Sequence, residues 1–300
     1  MKSLITAIFI ILLLPGCSNK KQPNKEELAE KVEALDESTP DLSDDNILMI
    51  LSSIPSPLEL SIHIQESGIP YDRFLLNNPD NYSKYNSSAR KAVNLGIYGT
   101  DLGYTDIYDH IQDGLNYLNA IRNLSNDLNI GQFLDFDLIK KLTDDGNNID
   151  SLLMITNQNF EKINKHFREQ QQANLSVLLL TGGWLEALYI VTQVTLKQMD
   201  NKILRDRVGE QKIVLNNIVI LLATYGIYDD YINSLIIDMQ KLEAAFATVT
   251  ITYTYEDSSS KVVDGVLEIQ SNSQSDVQID DATINEIADI VQQIRNRLVN

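Results

Sequence analysis

The chain has 300 residues, with 24 Lys or Arg against 42 Asp or Glu, which gives a formal net charge of −18 at pH 7. Such an acidic chain repels phosphate backbones, and we therefore expect no nucleic-acid binding, because that affinity depends on neutralisation of phosphate by Lys and Arg. The length fits one large domain or two small ones. The single cysteine excludes an internal disulfide, and the fold must be held by its core.

The first 16 residues have the pattern of a secretory signal peptide. Lys2 forms a short basic region, an apolar run covers residues 4–14, and Pro15-Gly16 precedes Cys17. The run is too short for a transmembrane helix, which needs about 20 apolar residues. The segment Leu14-Pro15-Gly16-Cys17 resembles the bacterial lipobox, with Pro15 where Ala, Ser or Thr is usual. We expect cleavage before Cys17 and a diacylglycerol on its thiol. The alternative is an ordinary secreted protein with a stray thiol.

Residues 17–43 form the lipidated cysteine and a polar, charged stretch that we expect to be a flexible tether. Ser18, rather than Asp, follows the cysteine, which in the enterobacterial sorting pattern implies passage to the outer membrane. Asn19-Lys20-Lys21 is basic, whereas surface-export signals of lipoproteins carry acidic residues at this place. The prediction is a protein anchored by lipid in the outer membrane and facing the periplasm.

Residues 44–300 are predicted to form one helical domain. Ser43 followed by two acidic residues is a typical N-cap, and Pro57 is expected to begin a helix that stops at Gly68. Apolar residues at helical spacing predict further helices at 86–103, 105–129, 135–144, 148–172, 174–199, 201–225 and 228–247. The stretches 175–195 and 213–223 are apolar nearly all round, which favours the centre of a bundle over a membrane. A tetratricopeptide-like solenoid is the alternative arrangement.

The end of the chain changes character. Residues 248–255 alternate Thr with Val, Ile and Tyr, which predicts a strand, and residues 262–269 are the expected partner in a hairpin near 248–270. Residues 270–280 are predicted to be a loop, and 281–298 an amphipathic helix. The expected fold class is therefore mainly α: a multi-helix bundle with a small C-terminal β-hairpin and a final helix.

Two glycine-rich stretches call for a physical reason, because glycine inside a helix costs about 1 kcal/mol relative to alanine. Gly96, Gly99 and Gly103 fall at positions i, i+3 and i+7, on one face of a predicted helix. Gly182 and Gly183 form a second patch of small residues. We expect the two helices to cross in close contact through these faces. The alternative is a groove between them that holds an apolar ligand or a lipid chain.

Each glycine stretch carries an acidic residue with aromatic neighbours: Asp101 with Tyr104 and Tyr108, and Glu186 with Trp184 and Tyr189. A carboxylate within such apolar sequence needs a partner or a raised pKa, because burial of a bare charge is too costly. We expect a hydrogen-bonded structural network. If Asp101 and Glu186 converged, the pair would resemble a general acid and base.

No metal or cofactor site is expected. His63, His110 and His166 have no second ligand at helical spacing. Residues 144–150 offer oxygen donors, but they lack the alternating positions and the terminal Glu of a calcium loop. The sequence also contains no glycine-rich phosphate loop after a strand and no Gly-x-Ser-x-Gly motif.

Three segments carry a resemblance to a known family: Ile54-Pro55-Ser56-Pro57-Leu58-Glu59, residues 95–104 from Leu to Tyr, and residues 180–186 from Leu to Glu. In these segments the chain resembles a Bacteroidota lipoprotein family of unknown function, and the likeness covers most of residues 45–300. The resemblance implies an envelope lipoprotein and implies no particular activity.

Three functional hypotheses follow. The first, which we favour because no catalytic constellation is visible, is a non-catalytic periplasmic binding or scaffold module with a protein partner. The second is a carrier of an apolar ligand between the glycine-faced helices. The third is an envelope hydrolase that uses Asp101 and Glu186.

Overall fold

The computed structural model describes residues 47, 49–51, 54, 57–145, 149–226, 229–254, 259–263, 266–270 and 274–300. The predicted signal peptide, Cys17, the tether and the N-cap at Ser43 lie outside these residues. In the described part of the chain, helices α1 to α9 cover Pro57–Glu66, Ser88–Ile107, Ile111–Asp127, Phe136–Asp145, Ile149–Glu169, Ala173–Lys197, Lys202–Gly226, Asp230–Phe246 and Asp281–Val299. The predicted mainly helical bundle with a final helix is confirmed.

The helix ends follow local chemistry. Helix α1 begins at Pro57, and proline is tolerated there because the N–H groups of the first turn have no hydrogen-bond partner within the helix. Gly68, which follows the helix, has a φ of +73°, a left-handed conformation that glycine adopts without strain. Side-chain N-caps start three later helices: Ser87 for α2, Asp229 for α8 and Asp280 for α9. Capping and apolar periodicity together explain why the predicted boundaries fall within a few residues of those observed for most of these helices.

Helix α6 lies at the centre of the bundle and contacts α1, α2, α5, α7 and α9. Among the described helices it alone is long and apolar enough to cross a membrane by length and composition, yet 94% of its apolar window is buried inside the protein. This confirms its predicted place in the core. Helix α7 is less enclosed than expected, because Ile213 is 42% exposed and Asn216 faces solvent.

The segment between α1 and α2, residues 67–87, is named here the α1–α2 loop. It contains two short 3-10 turns, Arg73–Leu75 and Pro79–Lys84, and no longer element. Leu75, Leu76 and Tyr85 of this loop are buried, so the segment packs into the bundle. Since an irregular backbone in a core must find partners for its N–H and C=O groups, other residues have to supply them.

A small C-terminal antiparallel β structure is present, as predicted, but its strands pair differently from the predicted hairpin. Strand β1, Thr250–Thr254, pairs antiparallel with β4, Gln274–Gln278, while β2, Ser259–Val263, pairs with β3, Val266–Gln270. The predicted partner strand over residues 262–269 is therefore wrong, and part of the predicted loop at 270–280 is a strand. Val277 of β4 is buried and packs closely on Gly209 of α7, where a Cβ would lie 2.3 Å from Val277 Cγ1.

Candidate functional site

Helices α2 and α6 cross in direct backbone contact. A Cβ on Gly96 would lie 1.9 Å from the carbonyl oxygen of Leu179, and one on Gly182 would lie 2.0 Å from that of Val93. Thr100 Oγ1 donates a hydrogen bond of 2.9 Å to the Gly183 carbonyl across the same contact. The expected close crossing is confirmed, and no groove for a ligand exists at these glycines.

Not every glycine of the predicted face belongs to the crossing. Gly99 is exposed, and a Cβ built on it would meet no heavy atom within 4 Å. Its inclusion in the contact face is therefore wrong, because the helix turns this position towards solvent. Gly103 is buried in the last turns of α2.

Glu186 of α6 forms an ion pair with Arg295 of α9 inside the core. Arg295 Nε donates to Glu186 Oε2 at 2.9 Å and Nη2 donates to Oε1 at 2.7 Å, a fork geometry that gives two parallel charge-assisted bonds. The Glu186 side chain is fully buried and that of Arg295 is 9% exposed. The guanidinium carbon lies 4.6 Å from the ring centroid of Tyr189, so the predicted aromatic neighbour of Glu186 also packs on its partner.

Asp101 of α2 converges with Glu186, a possibility that the sequence left open. Its Oδ2 accepts the backbone N–H of Asn77 at 3.2 Å, and its carboxyl is close enough to Glu186 for the charge of Glu186 to act on it. Burial, followed by the charge of Glu186, raises the pKa of Asp101 well above its ordinary value. A raised pKa favours the protonated form, and we therefore infer that Asp101 carries a proton beside Glu186. No described N–H or O–H group donates to its Oδ1.

This proton balances the charges of the buried cluster. With Asp101 protonated, the ion pair of Glu186 and Arg295 places no net charge in the low-dielectric interior. Burial lowers the pKa of Arg295, but the charge and the hydrogen bonds of Glu186 are the largest opposing causes, and that pKa is raised overall. The guanidinium therefore stays charged, and the network of Asp101, Glu186 and Arg295 is called here the core triad.

The core triad and the tyrosines beside it hold the α1–α2 loop. Arg295 Nη2 donates to the Leu75 carbonyl at 3.1 Å, and Asp101 accepts from Asn77, as described above. Further tyrosine hydroxyls donate to loop carbonyls: Tyr117 to Asn77 at 2.8 Å, Tyr98 to Asn78 at 2.9 Å, and Tyr108 to Ile69 at 2.8 Å. These side chains replace the hydrogen bonds that a helix or sheet would have supplied.

The remaining predicted residues lie around this loop or elsewhere in the core. Tyr104 accepts the backbone N–H of Asp72 at 3.3 Å, and its ring packs on Tyr108 and Tyr71 with centroids 4.9 and 5.5 Å apart. Burial raises the pKa of both Tyr104 and Tyr108. Trp184 points to another helix: its Nε1 donates to Gln211 of α7 at 2.9 Å. The predicted residues therefore belong to separate hydrogen-bond networks and not to a single one.

Asn77, Tyr98, Tyr117 and Arg295 are functional parts of the network that the sequence analysis missed. For Arg295 a signal existed. The buried stripe of α9 repeats in a seven-residue pattern, in which Arg295 takes the position that Ala288 holds one repeat earlier: Ile284, Ile287, Ala288, Val291, Ile294, Arg295 and Leu298. A basic residue inside an apolar stripe predicts a buried acidic partner.

The core triad is closed to substrate. Asp101 and Glu186 are both fully buried, and neither belongs to the lining of the two surface depressions described below. A general acid or base must reach the reacting atoms, so the convergence of these acids supports a structural role. Over the described ranges, no group of three or more His, Cys, Asp or Glu side chains is placed to hold a metal ion.

Comparison with known proteins adds no assignment to this geometry: no family model, no curated protein and no solved structure matches the chain.

Proposed function

We propose that the protein is a lipid-anchored envelope protein whose helical domain is a non-catalytic binding or scaffold module. In this proposal, Cys17 carries the lipid in the outer membrane and the domain faces the periplasm, as the lipobox-like segment and the basic residues after it favour. The resemblance to Bacteroidota lipoproteins supports the same location. The fold supports the non-catalytic part, since its buried acids serve to position the α1–α2 loop.

One observation carries the binding role: the α1–α2 loop is held by hydrogen bonds to the core and exposes an aromatic side chain to solvent. Phe74 is 89% exposed, although the next residue, Leu75, is buried and its carbonyl is held by Arg295. The Phe74 N–H is itself bound to Asp72 Oδ1 at 3.0 Å. An exposed aromatic on a rigid support loses little entropy on binding, which is the property of interface hot spots. We place the contact with a protein partner at Phe74.

The alternatives receive less support from the geometry. A carrier needs space between the glycine-faced helices, and at Gly96 and Gly182 the two backbones fill it. A hydrolase needs access to Asp101 and Glu186, which are buried. Binding of a partner at Phe74 requires neither space between these helices nor access to the buried acids.

Photo-crosslinking in intact cells tests the binding role. A photoreactive amino acid is placed at position 74 of the full chain and, as a control, at Ile203, which is 57% exposed on α7. We expect an adduct of defined mass at position 74 that is absent at 203. The absence of any adduct at 74, or the same adducts at both positions, would contradict the proposed contact.

The anchor has a separate test. Mass spectrometry of the mature amino terminus should find an acylated Cys17, and the Cys17→Ser variant should move from the membrane to the soluble fraction. Retention of Cys17→Ser in the membrane would refute the anchor. Removal of the domain by protease added to intact cells would refute its periplasmic orientation.

A further inference from the structure

A surface depression of about 610 Å³ lies where helices α3 and α5 end. It contains no Asp, Glu, Lys or Arg, although the chain as a whole is 22% charged. Its lining is dominated by side-chain amides: Asn126, Asn129, Gln132, Gln170 and Gln172, together with Leu128, Gly131 and His166. This depression is named here the amide pocket.

The local backbone builds this pocket. Asn129 and Gln171 have φ values of +57° and +58°, and these left-handed residues turn the chain sharply after α3 and α5. Gly131 lies against Asn126 in the lining, since a Cβ there would lie 2.2 Å from Asn126 Oδ1. Gln132 Nε2 donates to the Asn129 carbonyl at 3.0 Å, which fixes one wall. Two helix C-termini, with their partial negative charge, therefore meet beside a set of amides.

The chemistry of the lining selects a ligand class. Each amide offers both hydrogen-bond donors and an acceptor, and the helix ends favour groups that donate. An anionic ligand would find no Lys or Arg in the lining and would meet the partial negative charge of the helix ends. The second depression, by contrast, is lined by Lys202, Arg205, Asp206 and Asp280, and Lys202 pairs there with Asp206 at 2.8 Å.

Two aromatic side chains lie at one side of the amide pocket. His166 is part of the lining, and its ring centroid lies 4.9 Å from that of Phe133, which gives an aromatic patch next to the amides. Neutral sugars combine many hydroxyl groups with apolar C–H faces, so both features of the pocket match them. We propose that the amide pocket binds a neutral carbohydrate. This site is separate from Phe74 and depends neither on a protein partner nor on the lipid anchor.

Ligand-observed NMR on the full chain in detergent tests the proposal. The probes are maltotriose, cellotriose, mannotriose and chitotriose, with glucuronic acid as the charged control. We expect saturation transfer to at least one neutral probe and none to glucuronic acid. Lack of transfer to all four neutral probes, or equal transfer to glucuronic acid, would overturn the proposal.

Variants locate the binding. Asn126→Ala and Gln170→Ala remove amides from exposed positions of the lining, so the fold should be kept, and we expect each to weaken the affinity for the bound probe about tenfold. Asn123→Ala removes an exposed amide of α3 outside the pocket and should leave the affinity unchanged. Equal affinities in Asn126→Ala, Gln170→Ala and the unmodified chain would place the sugar elsewhere and refute the site.

Discussion

Arg295 of the final helix donates two hydrogen bonds to Glu186 of the central helix, although the two residues are 109 positions apart in the chain. The same guanidinium also donates to Leu75, so one side chain joins α9, α6 and the α1–α2 loop. With Asp101 protonated, as its raised pKa favours, the arrangement is neutral overall. The loop that carries Phe74 is thus held by a buried side chain.

Replacement of Arg295 should therefore lower the free energy of unfolding. Arg295→Met leaves Glu186 as a bare charge in the core, and the loss of one partner from a buried pair costs about 3–5 kcal/mol. Arg297→Met is the matched control on the same helix, because its partner Asp238 keeps an ion pair with Lys241 at 3.2 Å. Denaturant unfolding of both variants measures the difference. Equal losses of stability would argue against a special role for the Arg295 pair.

The glycines of α2 provide a second test. Gly96→Ala should destabilise by more than about 3 kcal/mol, since its Cβ would meet the backbone of α6 and neither helix can yield without separation. Gly99→Ala should instead stabilise by about 0.5–1 kcal/mol, because the site is open and alanine favours the helix. Thermal unfolding distinguishes these signs. A tolerated Gly96→Ala would mean that the helices do not touch there.

The hold of the tyrosines on the loop is measurable by a local probe. Tyr117→Phe removes the donor to the Asn77 carbonyl and should cost about 1–3 kcal/mol. Amide hydrogen exchange at residues 72–78 should accelerate more than exchange in α8. Tyr253→Phe, at a side chain that is 65% exposed, should change neither quantity. Unchanged hydrogen exchange of the loop in Tyr117→Phe would show that Tyr117 does not hold the loop in place.

The protonated Asp101 predicts a pH dependence. Burial and Glu186 raise the pKa of Asp101 in the folded state above its value in the unfolded chain, so the folded state holds the proton more tightly. The resulting stability is complete below the unfolded pKa and is lost as pH rises through the folded one. Asp101→Asn keeps the shape and cannot lose a proton. The unmodified chain should therefore weaken relative to Asp101→Asn as pH rises from about 4, and a constant difference would contradict the assignment.

The helices were predictable because their signals are local. Apolar periodicity placed α2 to α9 within a few residues of the ends observed for most of these helices, and Gly96 and Gly182 indicated a close crossing before any coordinates. Gly99 misled because its spacing fits the same face while the actual position is exposed. Sequence spacing gives a face only to within a turn, and the packing of neighbours decides which residues it covers.

Long-range pairings were the part that the sequence left open. The pairing of β1 with β4 depends on the docking of Val277 against Gly209, a tertiary contact without a sequence signature. The sequence between β2 and β3 is Asp264-Gly265, a dipeptide typical of two-residue hairpin connections. The predicted single strand over residues 262–269 did not take this local signal into account. The convergence of Asp101 with Glu186 joins two helices and one distant arginine. No local pattern contains that information.

The comparison of Asp101→Asn with Glu186→Gln tests the central claim, a neutral Asp101 beside a charged Glu186–Arg295 pair, most directly. Unfolding free energies of both variants are measured by denaturant at neutral pH. The account predicts that Asp101→Asn keeps or gains stability, since the amide can donate to Glu186 and accept from Asn77. It predicts that Glu186→Gln loses about 3–5 kcal/mol, because Arg295 is left as an unpaired buried charge. Equal losses in the two variants would contradict the protonated Asp101 and the structural role assigned to the core triad.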